Sequence, residues 1–503
     1  MPIKNALLFL HLFIVLLASC AAYAADPDVP MPASASEWRA AAIRDVEAGY
    51  EVTLANHAGV LDPHNPAFLA NLEAARNHGE ALAAKVSDGG GYYAALLGFS
   101  SRIHDGHAGV YPTFMFDAVK PVQWPGFIAA WRGDLFVYSA DKNMARPGER
   151  IVSCDGRPAR QLIEKNVFGF FGRMDEEGQW WSEARNLFID FGNPFVKRPA
   201  HCVFERSGRR IDRKLKWRAM PDSIWSAFRE SVAGEALPVG LTEPRTGLFW
   251  VAMPTFTPND EERADYRAIY KQVQAQRERF LNADAVVIDL RRNQGGSSWW
   301  SRDFAAVLWG ESRVKRRDEA RNAGEEVWYR VSPDNIAHVH GLNEKYLSEG
   351  EEESARRMAK LEAKLRAAQA ADKPYYIEKG ESPAPVIEPF AEQSGDVKPF
   401  TRPVYVIVPG NCVSSCLDAV DYFKMFANTK LIGAPSSADS TYMEVRIATL
   451  PGGLARVVVP TKLYVNRPRA NGEFYRPHIP VNDLLWTTGT FRKIIEHDLA
   501  GSR

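Results

Sequence analysis

Cysteine is scarce, net charge is absent, and long apolar runs are confined to one end. The chain has 5 cysteines in 503 residues, too few for a disulfide-built scaffold. Lys+Arg and Asp+Glu both number 62, so the formal charge is zero. Proteins that bind nucleic acid generally carry a basic excess, and no nucleic-acid partner is expected. Beyond the first residues no stretch reaches the roughly 18 uninterrupted apolar positions of a membrane span. Apolar residues make up 46% and charged residues 25%, which excludes wholesale disorder and a collagen-like chain. At about 150 residues per domain the length implies roughly three domains.

The N-terminus carries an address. Lys4 precedes Ala6 to Leu17, an almost continuous apolar run broken by His11. It is short for a membrane span and suits an export signal, so residues 1–24 are read as a signal peptide. Two cleavage readings stand. Ala22-Tyr23-Ala24 is a small-x-small site leaving Ala25 first, and Leu17-Ala18-Ser19-Cys20 has the form of a lipoprotein box with Cys20 lipidated. The mature protein is expected to be periplasmic or secreted, or tethered through a lipid on Cys20. Its remaining cysteines are Cys154, Cys202, Cys412 and Cys416. Pairing within each couple and small buried thiols are both open readings.

Residues 25–118 read as helical. Ser36 can cap a helix carrying Trp38, Ile43, Val46, Tyr50 and Leu54, and further helices cover Pro66–Asn77 and the Tyr92–Phe99 run. This region ends in Asp105-Gly106-His107, where Asp-Gly marks a turn into a short strand. Residues 119–220 read as β. Pro147-Gly148-Glu149-Arg150-Ile151-Val152-Ser153-Cys154-Asp155-Gly156 resembles the core of a PDZ module, with an aromatic insertion from Phe168 to Phe195. Such modules bind peptide ends by strand addition. Residues 240–500 alternate between α and β, with a charged helical insertion at 315–400. Within it Glu349 to Ala371 is a helix with a Met358, Leu361 and Leu365 stripe and a Glu362–Arg366 pair.

Two segments could carry chemistry. In Tyr405-Val406-Ile407-Val408-Pro409-Gly410-Asn411-Cys412-Val413-Ser414-Ser415-Cys416-Leu417, a strand runs through a tight turn into a pair of serines and a helix. A serine there sits beside helix N-terminal amides that favour developing negative charge. Either serine could instead simply cap the helix. In Asp289-Leu290-Arg291-Arg292-Asn293-Gln294-Gly295-Gly296, a buried strand leaves through a Gly-Gly turn that lets backbone amides approach a ligand.

In this order and spacing, the two segments resemble the catalytic core of the C-terminal-processing (tail-specific) serine peptidases, including the tricorn-core branch. The Ile288–Gly296 stretch matches the family's strand and turn. Ser414-Ser415-Cys416-Leu417 matches its Ser-Ala-x-Glu helix start, and Leu431-Ile432-Gly433 follows at the family's spacing, which selects Ser414 as nucleophile. Two departures stand out. Asp439 occupies the position of the Ser-Lys branch's lysine, with no lysine nearby until Lys462, and Leu417 replaces the usual glutamate. The histidine branch uses an N-terminal Asp-x-His segment, which Asp105-Gly106-His107 matches.

The resemblance therefore implies a crotonase/ClpP-like ββα catalytic domain in an α/β multidomain chain. It implies an exported serine endopeptidase acting on peptide or protein substrates without a cofactor. His107 would take the proton of Ser414 as general base. Amides around Gly295 and Gly296, with that of Ser415, would hold the oxyanion. Glu473 is the candidate acid orienting His107, with Asp439 and Glu444 as alternatives, and His104 is the alternative base. His104 and His107 lack the further ligands of a metal site, so none is expected. Trp180-Trp181 and Trp299-Trp300 read as core or rim aromatics. Two other classes remain: a peptide-binding scaffold of the same fold, and a crotonase-type enzyme acting on thioesters.

Overall fold

The computed structural model describes residues 29–115, 120–379 and 396–501. The expected export signal, both cleavage readings and Cys20 lie outside the described residues. The chain is a mixed α/β protein whose described parts fall into two compact units. One takes in Met1–Met115, Asn322–Ala384 and Ser440–Asn471. The other takes in Phe116–Arg321, Pro385–Asp439 and Gly472–Arg503. No helix of the described residues is long and apolar enough to cross a membrane.

The first unit begins with helices Ala35–Asn56, Ala67–Ala83 and Gly89–Ser100. The cap of the first is Ser34 rather than Ser36. Ser34 accepts from the Glu37 amide while Glu37 reaches back to the Ser34 amide, a capping box that needs its acid three residues on. An antiparallel sheet in the same unit runs in the order Gly109–Pro112, Ala455–Val465, Glu326–Arg330, Tyr375–Lys379, and Tyr442–Thr449 also pairs with Ala455–Val465. The charged segment read as an insertion thus supplies two strands of this sheet. Between them helices Pro333–Ser348 and Glu352–Ala370 close over Ile336, Val339 and Leu365, and the expected Glu362–Arg366 pair forms at 2.7 Å.

The second unit holds two sheets. The antiparallel one has the order Phe127–Trp131, Leu135–Ala140, Arg150–Cys154, His201–Arg206, Arg209–Lys214. Its tight turns are Asp155-Gly156 and Ser207-Gly208, with positive φ at all four residues, which suits the twist of a two-residue hairpin. Cys154 and Cys202, directly paired across adjacent strands, form a disulfide.

The other sheet has the order Gly240–Arg245, Leu248–Ala252, Ala285–Asp289, Val404–Val408, Thr429–Gly433, Ile479–Pro480. Only its first pair is antiparallel. Ala285–Asp289 and Val404–Val408 are buried along their whole length because both faces are covered. Ala285, Val287, Tyr405 and Ile407 face a core shared with the antiparallel sheet, including Trp180, Trp181 and Trp486. Val286, Ile288, Val404, Val406 and Val408 face helices Asp260–Ala275, Trp299–Trp309 and Ser415–Lys424. Each Val, Leu or Ile so buried contributes about 1.5–3 kcal/mol, which fixes the strand ends and the loops that leave them.

Candidate active site

Three neighbouring parallel strands, Leu248–Ala252, Ala285–Asp289 and Val404–Val408, deliver their loops at the same carboxyl edge. In open α/β sheets that edge is where ligands bind. The middle loop is rigid for reasons written in its residues. The Asp289 carboxylate accepts from the Arg291 guanidinium at 2.6 Å, from the Arg291 amide at 3.0 Å and from Trp250 Nε1 at 2.9 Å, all buried. Asn293 Nδ2 donates to the Met253 carbonyl at 2.8 Å, while its Oδ1 accepts from the Gly295 amide at 2.9 Å. The Gly295 carbonyl accepts from the Phe256 amide, and the Phe256 carbonyl from the Ser297 amide. Gly295 and Gly296 have φ +103° and +128°, and a methyl at Gly296 would collide with the Phe256 carbonyl. Glycine is needed at both positions.

The third loop carries the serines. Pro409 and Gly410 end the strand, and the Cys412 amide closes a turn onto the Pro409 carbonyl. Trp181 packs on this turn so closely that Gly410 has no room for a side chain. Both Trp180 and Trp181 are buried, whereas Trp299 is half exposed and Trp300 stacks on Tyr266. Ser414 then stands at the start of helix Ser415–Lys424 with φ +56° and ψ −131°. For a residue other than glycine this conformation costs about 1–3 kcal/mol and is found mainly where function demands it. Ser414 occupies the N-cap position, yet its side chain makes no capping hydrogen bond. The capping reading therefore has no support at this residue. Ser415 does not cap either: its Oγ donates to the Gly296 carbonyl at 2.6 Å.

The two loops meet at these residues. A methyl built on Gly295 would stand 2.8 Å from Ser414 Cβ and 3.2 Å from its Oγ. The Gly295 amide is already engaged by Asn293, which corrects its reading as an oxyanion donor. The amides of Gly296 and Ser415 are not so engaged. Ser298 Oγ donates to the Asp418 carboxylate at 2.7 Å and lies 3.1 Å from Ser415 Oγ, tying the glycine loop to the helix. Leu417, at the usual glutamate position, is fully buried in the core, and the carboxylate comes one residue later. Asp418 and Ser298 were not singled out in the sequence. Their signal was an acid in the first turn after a serine pair.

Cys412 and Cys416 form a disulfide across the elbow. Glu473 is exposed, and its charge, with that of Asp421, opposes the lowering of the Lys424 pKa by burial. Asp439 is buried, and its carbonyl accepts from the Gly472 amide at 2.9 Å.

In the first unit His107 is buried and His104 exposed. Asp105 Oδ1 accepts from the His107 amide at 2.9 Å and from Ser440 Oγ at 2.7 Å, while Oδ2 is 2.8 Å from His57 Nε2. His57 Nδ1 accepts from the Gly59 amide at 2.8 Å, so the ring proton is on Nε2 and points at Asp105. His57 and Ser440 lie 48 and 335 residues from Asp105, and no local pattern announces them. Burial alone would raise the Asp105 pKa, but the His57 hydrogen bond and the neighbouring groups bring it down to about 2. Lys462 is no candidate base. Burial opposes its charge, but Glu444 at 2.5 Å and nearby tyrosines hold its pKa above the ordinary value.

A depressed carboxylate stabilises the fold above its unfolded pKa and ceases to do so as pH falls through the folded value. The Asp105 cluster should therefore contribute about 2 kcal/mol at neutral pH, lost between about pH 4 and pH 2. In thermal melts, Asp105→Asn should lower the midpoint at pH 6 and flatten its fall on acidification. An unchanged acid profile would remove Asp105 as the responsible group.

Residues 248–478 match the model of peptidase family S41. No curated protein matches the sequence. Among solved structures, mature CPAF complexed with lactacystin is similar over 92% of this chain and 99% of its own, at 13% identity and TM-score 0.59. A CPAF serine-to-alanine mutant is similar over 90% and 94%, at 13% identity and TM-score 0.59. At such identity the likeness is one of fold, and it extends over both units. The chain carries an S41 peptidase domain at residues 248–478, the region that holds the glycine loop and the serine pair.

Proposed function

We propose that this protein is an exported serine endopeptidase of the histidine-using, tricorn-core-like branch, with Ser414 as nucleophile and His107 as general base. Ser414 Oγ attacks the peptide carbonyl as its proton passes to His107. The amides of Gly296 and Ser415, at the N-terminus of helix Ser415–Lys424, receive the oxyanion. Each such donor is worth about 3 kcal/mol in the barrier. His107 then protonates the departing amine, and water, activated by the same histidine, releases the acyl group. The observation that carries this reading is the strained, uncapped Ser414 held against Gly295.

His107 is favoured over His104 by its burial beside Asp105, which fixes its turn through the backbone. The resemblance assigns the orienting acid to Glu473. Export rests on the Lys4–Ala24 pattern, with Ala25 as the first mature residue or Cys20 as a lipid site. The antiparallel sheet within residues 119–220 is read as the PDZ-like module, and the parallel sheet with its helices as the crotonase-like layer.

The test is a fluorophosphonate probe followed by intact mass and peptide mapping, alongside His107→Ala and Glu473→Gln. An adduct on Ser414, lost in His107→Ala and slowed in Glu473→Gln, is expected. The intact mass also reads the N-terminus. Correctly folded wild type that takes no adduct would overturn the assignment and favour a peptide-binding protein of the same fold.

A further inference from the structure

The turn that carries Ser414 is closed by a covalent ring, and we infer that the Cys412–Cys416 disulfide is a positioning device that holds Ser414 in its reactive conformation. This rests on the reading of Ser414 as nucleophile. The bond joins residues four apart, with Val413, Ser414 and Ser415 between them and Cα atoms 5.3 Å apart. Both cysteines are fully buried among Leu290, Val408 and Leu417, so the ring is anchored in the core on either side of the serine.

The backbone hydrogen bonds of this stretch are those of its turn and helix start, and Ser415 Oγ also bonds the Gly296 carbonyl. The Cys412 amide bonds the Pro409 carbonyl, the Cys416 amide the Val413 carbonyl, and the Leu417 and Asp418 amides the Ser414 carbonyl. These bonds hold the peptide planes on either side of Ser414, and the disulfide adds a covalent limit on a φ of +56° that an L-residue leaves when free to do so. A ring closed across three residues removes that freedom.

The protein's other disulfide offers a contrast. Cys154–Cys202 spans 48 residues and joins two paired strands of the antiparallel sheet. Closing a long loop restricts the unfolded chain more than closing a short one. The long-range bond is therefore the one expected to support global stability. The short one adds little there and acts on the geometry of one residue.

The experiment uses the whole mature protein, exported so that both bonds form, in three versions: wild type, Cys412→Ala with Cys416→Ala, and Cys154→Ala with Cys202→Ala. Removing the short bond should lower kcat and the fluorophosphonate labelling rate together by tenfold or more. KM should stay within twofold, and the melting midpoint should move little. Removing the long bond should lower the midpoint more while kcat below that temperature is kept. Hydrogen exchange at the Leu417 and Asp418 amides should quicken only in the first variant. A folded first variant with kcat within twofold of wild type would overturn the inference, as would losses that merely track unfolding in both. Should wild type itself take no label, the nucleophile reading falls. Exchange at Leu417 and Asp418 then decides the lock alone, and unchanged protection overturns it.

Discussion

Ser414→Ala should lower kcat/KM on unfolded protein substrates by about ten-thousand-fold or more, the usual scale for losing a covalent nucleophile. KM and binding of uncleaved peptide should stay near wild type, because the change deletes one oxygen and leaves the backbone as it was. The same variant separates binding from turnover. Peptides with a free carboxylate should bind it better than their amides if residues 119–220 act as a PDZ-like module, and equal binding would remove that role. Stability adds a second, less expected signature. Alanine keeps the Cβ that makes φ +56°, ψ −131° unfavourable, whereas glycine adopts such angles freely. Ser414→Gly should thus be more stable than Ser414→Ala by about 1 kcal/mol, or about 2 °C in melting midpoint. Both should be inactive. An active Ser414→Ala enzyme would refute the assignment outright, and equal stability of the two variants would show that the strain is relaxed in solution.

The parts of this arrangement that could be read from sequence are those that local chemistry dictates. Ala285–Asp289 and Val404–Val408 are apolar runs with no polar face, so a doubly covered strand is the only element that suits them. Asp155-Gly156 and Ser207-Gly208 are residue pairs whose types suit two-residue hairpin turns. The serine pair and the Gly-Gly turn were legible because each sits where a buried strand must stop. Other features depend on chain segments that meet only after folding. Asp105 has its partners at His57 and Ser440, and neither position is marked by any motif. Glu326–Arg330 and Tyr375–Lys379 carry charges at half-exposed positions, which hid two strands inside what read as a charged insertion. At the helix start, Leu417 drew attention to a missing glutamate, while Asp418 beside it supplies a carboxylate to Ser298. The capping box at Ser34 shows the same limit on a smaller scale, since Ser34 and Ser36 differ only in what lies three residues further on.

Gly295→Ala should cost much of the activity, although it adds one carbon and removes no reacting atom. Two costs coincide at this position. At φ +103° any side chain is strained, by about 1–3 kcal/mol. The new methyl would also face Ser414 Cβ at 2.8 Å and the Val413 carbonyl at 3.1 Å. Neither neighbour is the free end of a flexible side chain. Val413 and Ser414 are held by helix Ser415–Lys424 and the disulfide, and Gly295 is pinned by Asn293 and Phe256. Relief must come from moving Ser414 against Gly296, the pair that would hold the nucleophile and the oxyanion. A shift of the order of 1 Å there costs about a hundredfold in rate. The expected result is a folded protein, destabilised by a few degrees, whose kcat/KM and labelling rate both fall by about a hundredfold or more. Gly208→Ala is the control: its φ of +77° imposes a similar backbone strain, but a methyl there meets nothing within 4 Å. It should lose stability without losing activity. If Gly295→Ala keeps its activity within threefold while Gly208→Ala behaves as expected, the close approach of the glycine loop to Ser414 is not part of the working enzyme, and the oxyanion donors must be sought elsewhere.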